Sequence, residues 1–176
     1  MHIRTATNLD RSDINSVYLS AFDEGERDLV SKLAINLLSE ETTPQTISLV
    51  AEAKGIVVGH VAFSPVTIGN DENFRGYILA PLGVKPVYQK RGIGSELIES
   101  GKEQLSIMGV DIIFVYGDPN YYGKFGFNAH TAAVYSPPYE LQYAFGWQAI
   151  TLNEDILTGS TIRISCVNSL GDPKLW

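Results

Sequence analysis

Leu82-Gly83-Val84-Lys85-Pro86-Val87-Tyr88-Gln89-Lys90-Arg91-Gly92-Ile93-Gly94-Ser95 is the stretch from which the rest of the chain can be read. It leaves an apolar strand, crosses a short loop and opens a helix. Ile93, Leu97, Ile98, Gly101, Leu105 and Met108 recur at the spacing of one helical face, and Gly109 follows as a stop. The first N–H groups of a helix have no partner inside it, and the helix dipole makes that end positive. Gly92 and Gly94 remove side chains where a ligand must approach the main chain, and Lys90 and Arg91 add positive charge at the same place. The main chain from Gln89 to Ser95 is therefore a candidate cradle for a pyrophosphate. The competing reading is a tight turn with solvated basic residues beside it. The stretch lacks the Lys-Ser/Thr ending of a Walker loop. It also lacks the third glycine of a dinucleotide fingerprint, which counts against ATP or NAD.

Outward from this stretch the pattern is that of a mixed α/β (α+β) chain. Upstream, Phe74 to Val84 reads as a strand that Pro81 interrupts, at a bulge or an edge, because proline has no ladder donor. Ile47 to Glu52 and Ile56 to Ser64 read as a hairpin around Lys54-Gly55. Before them lie two amphipathic helices. Ser12 is the expected cap of the first, with Ile14, Val17, Tyr18, Ala21 and Phe22 on its apolar face; the second carries Leu29, Val30, Leu33, Ala34, Leu37 and Leu38. A short strand, His2 to Thr7, opens the chain. Downstream, Ile112-Ile113-Phe114-Val115 has the β-branched, doubly apolar character of a strand buried on both faces, and completes a strand–helix–strand crossover. A short helix is expected over Asn120 to Lys124 and a strand from Phe127. Further strands are expected at Trp147 to Leu152 and Ile162 to Val167.

The 176 residues suit one domain, 1–176, in which the C-terminal strands of 136–176 are the least defined part. A formal net charge of −7 argues against nucleic acid and anionic membrane as partners. No apolar run is long enough to span a bilayer, and the N-terminus has no signal-peptide pattern, so the cytoplasm is the expected compartment. The lone Cys166 and three His show no metal-ligand spacing, so no metal is expected. Strands of the tail could pair across two copies, which leaves a homodimer open.

The motifs resemble those of the GNAT superfamily of acyl-CoA-dependent N-acetyltransferases. Gln89-x-x-Gly92-x-Gly94 is similar to its pyrophosphate motif, and Leu82-Gly83-Val84 to the strand end that binds pantetheine. Tyr122-Gly123-Lys124-Phe125-Gly126-Phe127 is similar to its tyrosine-to-Gly-Phe pattern. The run Gly117-Asp118-Pro119-Asn120-Tyr121-Tyr122 looks most like the bacterial YhbS-like subgroup of predicted acetyltransferases.

The resemblance implies a GNAT-like fold: a mixed central sheet, splayed at the acetyl-CoA site, with helices on both faces. It implies acetyl-CoA as the acetyl donor, held by Leu82, Gly83, Val84, Gln89, Lys90, Arg91, Gly92, Ile93, Gly94, Ser95 and Asn120. The acceptor is an unidentified amine, small molecule or protein. The amine attacks the thioester directly, a strand-end N–H of Val84 or Leu82 holds the oxyanion, and Tyr122 protonates the thiolate. Tyr121 is the rival for that last role, and Asn120 either contacts the cofactor or forms a turn. The alternative is a catalytically weak acyl-CoA-binding sensor or interaction module.

No general base stands out. Tyr77 to Pro81 has no carboxylate, Glu24 and Glu26 either face the acceptor or stay solvated, and His60 is either a base or a satisfied core residue. Tyr135, Tyr139, Tyr143, Phe145 and Trp147 either line an aromatic pocket or build core.

Overall fold

The structure is a computed structural model and describes residues 1–153 and 160–176. In chain order its elements are β1 (His2–Thr5), α1 (Arg11–Ala21), α2 (Arg27–Ser39), β2 (Ile47–Ala53), β3 (Ile56–Thr67) and β4 (Gly76–Val84). There follow α3 (Ile93–Ile107), β5 (Ile112–Tyr116), α4 (Pro119–Tyr122), α5 (Ala129–Ala132), β6 (Tyr135–Ser136), β7 (Trp147–Thr151), β8 (Ile162–Arg163) and β9 (Ser165–Cys166). One mixed sheet runs in the order β1-β2-β3-β4-β5-β7, with β9 added to the end of β3; β6 and β8 form a separate parallel pair. The β2–β3 hairpin turns on Lys54 and Gly55, both at positive φ (52° and 77°), the twist that a two-residue hairpin loop requires.

Helix α3 covers one face of the sheet. Its Leu97, Ile98 and Leu105 are fully buried against Phe63, Leu79 and Ile113. Helices α1 and α2 cover the other, where Val17 and Tyr18 meet Val50, and Leu33 and Leu37 meet Ala62, Ile78 and Phe114. Burying a large aliphatic side chain contributes about 1.5–3 kcal/mol, so this two-sided core is the main reason the sheet holds.

The feature that positions the site is the divergence of β4 and β5. They pair in parallel only over Gly76–Leu79 and Ile112–Val115. At that point the β3–β4 register skips between Val61 and Phe63, so that Ala80 and Pro81 together oppose one residue of β3. Pro81 thus sits at a bulge inside the sheet rather than at an edge. Beyond it β4 continues along β3 alone, and its other edge faces an opening.

Several expectations are corrected. Ser12 does not cap α1. A 3-10 turn at Asn8–Asp10 precedes the helix, and the Asp10 carboxylate accepts the Thr7 N–H at 2.8 Å. Phe127 does not begin a strand, because Asn128 makes a single bridge to Ala149 and then caps α5 through the Thr131 N–H at 2.8 Å. Ile162 to Val167 is split at the buried Ile164 into β8 and β9, which pair with different neighbours. Met108 does not join the apolar face of α3, because it caps the helix after Ile107 and is exposed.

Candidate active site

The loop between β4 and α3 presents donors and little else. Gly92 caps α3 in the left-handed region (φ 82°), which a residue with a Cβ adopts only at a cost. Lys90 also has positive φ, 60°. The first intrahelical bond of α3 is from the Glu96 N–H to the Gly92 carbonyl at 2.9 Å. Among the described residues, no acceptor meets the N–H groups of Lys90, Gly92, Ile93, Gly94 or Ser95, while the Arg91 N–H closes the turn over Gln89 and Lys90. These main-chain donors, at the positive end of a 15-residue helix, make a candidate anion site.

The side chains of the loop do other work. Gln89 donates through Nε2 to the Val84 carbonyl at 2.9 Å and so ties the loop to the strand end. Ile93 is buried in the core, so it offers only its N–H outward. Lys90 and Arg91 are exposed, and the Arg91 guanidinium lies 5.6 Å from the centre of the Tyr88 ring. A Cβ on Gly94 would stand 2.6 Å from the Tyr121 hydroxyl, so that glycine leaves room for the tyrosine.

Strand β4 supplies the second part. The Lys85 N–H donates to the Val58 carbonyl at 2.9 Å, and antiparallel ladders alternate. Gly83, opposite His60, therefore turns its main chain to β3, while Leu82 and Val84 turn theirs to the splay. A Cβ on Gly83 would lie 2.8 Å from the Tyr18 ring beneath it. The Tyr18 hydroxyl is 2.7 Å from His60 Nδ1, and Ser48 Oγ is 2.8 Å from His60 Nε2. With both ring nitrogens engaged, and burial pushing its pKa down to about 3, His60 is a neutral structural residue rather than a base.

The third part is α4. The Asp118 carboxylate caps it by accepting the Asn120 N–H at 2.9 Å, and Pro119 occupies its first turn. Lys102 of α3 donates to the Phe125 carbonyl at 3.0 Å and fixes the turn that follows. The two tyrosines meet edge to face with ring centres 5.1 Å apart, yet they point to different places. Tyr121 reaches over Gly94 at the start of α3, and Tyr122 lies against Gly117 and Phe127 and lines the splay. Burial raises the Tyr122 pKa above the ordinary tyrosine range, with the neighbouring Tyr121 adding to the effect, so its hydroxyl stays protonated. Asn120 is exposed on the same short helix.

A cleft of about 390 Å³ opens beside the splay. Its lining comes from Phe22, Glu26, Val30 and Leu33 on the helical side, Ile78 to Leu82 of β4, Tyr116 to Asp118 and Tyr122, and Leu170, Leu175 and Trp176. Glu26 thus faces the cleft, whereas Glu24 is directed to Arg27 at 3.7 Å and does not line it.

Reading the sequence missed Asp118 and the 170–176 segment. Asp118 looks like an ordinary turn residue, and the segment has no periodicity to give it away. The aromatic group at 135–147 is mainly core: Tyr135 and Trp147 are buried, Trp147 stacks on Phe114 at 5.3 Å, and Tyr143 and Phe145 are exposed. Burial pushes the Cys166 thiol up to about 12, which makes it unreactive. Among the described residues there is no cluster of metal-ligating side chains, and no helix is long and apolar enough to cross a membrane.

A strand end with a free edge, a helix start with bare donors and a cleft beside them meet at one place, the candidate site, and comparison with known proteins gives the kind of protein that carries it. Residues 44–129 match the acetyltransferase (GNAT) domain family. Over 157 residues the chain is 37% identical to the uncharacterized N-acetyltransferase YjhQ of Escherichia coli strain K12, covering 85% of this chain and 84% of that one. The uncharacterized N-acetyltransferase YhbS of the same strain is 35% identical over 129 residues, 72% and 73% of the two chains. The crystal structure of Escherichia coli YhbS in complex with CoA has a TM-score of 0.83 to this fold, at 26% identity over 97% of this chain and 92% of that one. A GNAT family acetyltransferase from Brucella melitensis in complex with acetyl-CoA has a TM-score of 0.68, at 31% identity over 96% of each. The chain belongs to the GNAT family of N-acetyltransferases.

Proposed function

We propose that the chain binds acetyl-CoA across the β4–α3 loop and transfers the acetyl group to a primary amine seated in the cleft. The observation that carries this reading is continuity. The partnerless N–H groups from Gly92 to Ser95 lead to the free edge at Val84 and Leu82, and that edge ends in the cleft lined by Tyr122. The similar YhbS and Brucella structures hold CoA and acetyl-CoA, which supports the same ligand here. Asn120, exposed on the same short helix as Tyr122, is assigned to the pantetheine amides in this reading.

In this reading the neutral amine attacks the thioester carbon and a C–N bond forms. The carbonyl oxygen takes up the electron pair and is held by the N–H of Leu82 or Val84, an effect commonly worth about 3–4 kcal/mol. The intermediate collapses, the C–S bond breaks, and Tyr122 gives its proton to the sulfur. The ammonium proton of the intermediate leaves to water, which also reprotonates Tyr122. A protonated amine and acetyl-CoA thus yield the amide, free CoA and one released proton. A thiol ordinarily titrates near about 8.5, and burial holds Tyr122 above the ordinary tyrosine value near about 10, so this proton moves uphill and is given up in step with C–S cleavage. We read residues 1–176 as one catalytic domain that needs no metal. The half-buried, unpaired Cys166 suits a reducing compartment such as the cytoplasm.

Replacing Tyr122 by Phe tests the assignment. Turnover, followed as free CoA release, should fall by roughly 100- to 1,000-fold, with the calorimetric Kd for acetyl-CoA within about twofold of the original. Because burial raises its pKa, Tyr122 should produce no alkaline fall in kcat below about pH 10. Unchanged turnover would hand the role to another donor, with Tyr121→Phe next in line. Binding without turnover across a broad amine panel would leave an acyl-CoA sensor.

A further inference from the structure

We infer that the acetyl acceptor is a small monoamine with an apolar body, aromatic or branched aliphatic, bound in the cleft between α2, the β4 bulge and the 168–176 segment. This rests on the reading of the splay as the acetyl-CoA site. The cleft, about 390 Å³, is of the size that holds a small molecule. Its lining contains two carboxylates, Glu26 and Asp118, and no Lys, Arg or His. A cation is therefore attracted. Asp118 is exposed and caps α4 through the Asn120 N–H, so water screens its charge and its pull on a second cation is weak.

The remaining walls decide the rest of the acceptor. Phe22, Val30, Leu33, Leu170, Leu175 and Trp176 offer hydrocarbon and aromatic surface. A second ammonium, or a ring of hydroxyls, would lose its hydration against them with nothing in return. Polyamines and aminoglycosides are thus disfavoured, and an apolar body gains by being covered.

The wall facing α2 is also fixed in shape. The Glu40 carboxylate accepts the N–H groups of Asn168 and Ser169, each at 3.0 Å, and the Ser169 hydroxyl. Trp176 donates through Nε1 to the Leu170 carbonyl at 3.0 Å and stacks on Tyr116 with ring centres 6.4 Å apart. Tyr139 donates to the Gly171 carbonyl at 2.9 Å. A wall tied at four points selects by shape.

The test uses the whole chain and two readouts. Calorimetry measures acetyl-CoA binding, and CoA release measures turnover with 2-phenylethylamine, isoamylamine, spermidine, kanamycin and a peptide bearing a free N-terminus. The expected result is a kcat/KM for the first two at least about tenfold above the other three. Leu175→Ala should raise the KM for 2-phenylethylamine by roughly fivefold or more, and Glu26→Gln should raise it by roughly two- to fivefold, each without changing the Kd for acetyl-CoA. Glu26 is exposed, so that variant folds even if Leu175→Ala does not. Preference for spermidine, kanamycin or the peptide, with acetyl-CoA binding intact, overturns the inference. So does an amine KM that neither variant moves. Failure of the unaltered chain to bind acetyl-CoA overturns the donor site itself, and this inference with it.

Discussion

The donor loop and the acceptor cleft touch at β4 but are built in opposite ways. The loop is one contiguous stretch, 82–95, that works through its main chain, and its side chains matter chiefly where they are absent or face inward. The cleft is assembled from α1, α2, β4, the end of β5 and the 170–176 segment, and works through side chains. A ligand held by N–H groups depends on backbone path, so a change there should weaken donor binding as a whole. A ligand held by side chains can be exchanged by relining the wall, so changes there should be graded and confined to the amine.

The largest effect should come from the loop. Gly94→Val places carbon where the Tyr121 hydroxyl now stands, 2.6 Å from an ideal Cβ. Overpacking of this kind costs about 1–3 kcal/mol and is relieved by moving the loop, so acetyl-CoA binding should weaken by roughly 10- to 100-fold. Calorimetry with acetyl-CoA checks this. Unaltered affinity would break the comparison, because the cradle would not then depend on close approach.

This contrast also explains what could be read from sequence. The loop was legible because its chemistry lies in adjacent residues: glycines at Gly92 and Gly94, a helix period behind them and an apolar strand before them. The divergence of β4 and β5 was legible through Pro81, whose missing N–H marks the bulge. Tyr122 is favoured over Tyr121 in sequence by its place in the Tyr-to-Gly-Phe pattern; what the sequence does not show is that a one-residue offset on a short helix sends one ring to α3 and the other to the splay. The cleft was illegible because Glu26 and Trp176 are 150 positions apart and no local pattern links them. Asp10 was hidden for the same reason: its carboxylate is claimed by Arg4 of β1, so the start of α1 moves away from Ser12.

A smaller effect should follow from loosening the cleft wall. Glu40→Gln removes the charge and one of the two oxygens that hold Asn168 and Ser169. Hydrogen bonds to a charged group contribute about 1.5–3 kcal/mol, part of which Gln retains, so stability should drop by about 1–2 kcal/mol. The KM for the amine should rise by roughly three- to tenfold while the acetyl-CoA Kd stays put. A purely structural role would lower the melting temperature without that split between amine and donor.

The smallest effect is a pH dependence that separates the two regions by stability. Asp10 is 5% exposed, and its pKa is lowered from 3.8 to about 2, first by the Arg4 hydrogen bonds at 2.8 and 2.9 Å and then by the Thr7 N–H. Its folded pKa lies below the unfolded one. The stability it contributes is therefore present above about pH 4 and lost as pH falls through about 2. With Arg4 partly in solvent, that contribution is about 1–2 kcal/mol. Asp10 joins β1 to the start of α1, which carries Phe22 towards the cleft, and its side-chain hydrogen bonds go to Arg4 and Thr7. Hydrogen exchange near pH 3 should accordingly quicken along α1 before it quickens along α3. Arg4→Met should speed α1 exchange already at pH 7 and flatten the further change on acidification, because the carboxylate then has no cation to lose. Equal acceleration of α1 and α3 would mean that the two sides of the site open as one unit.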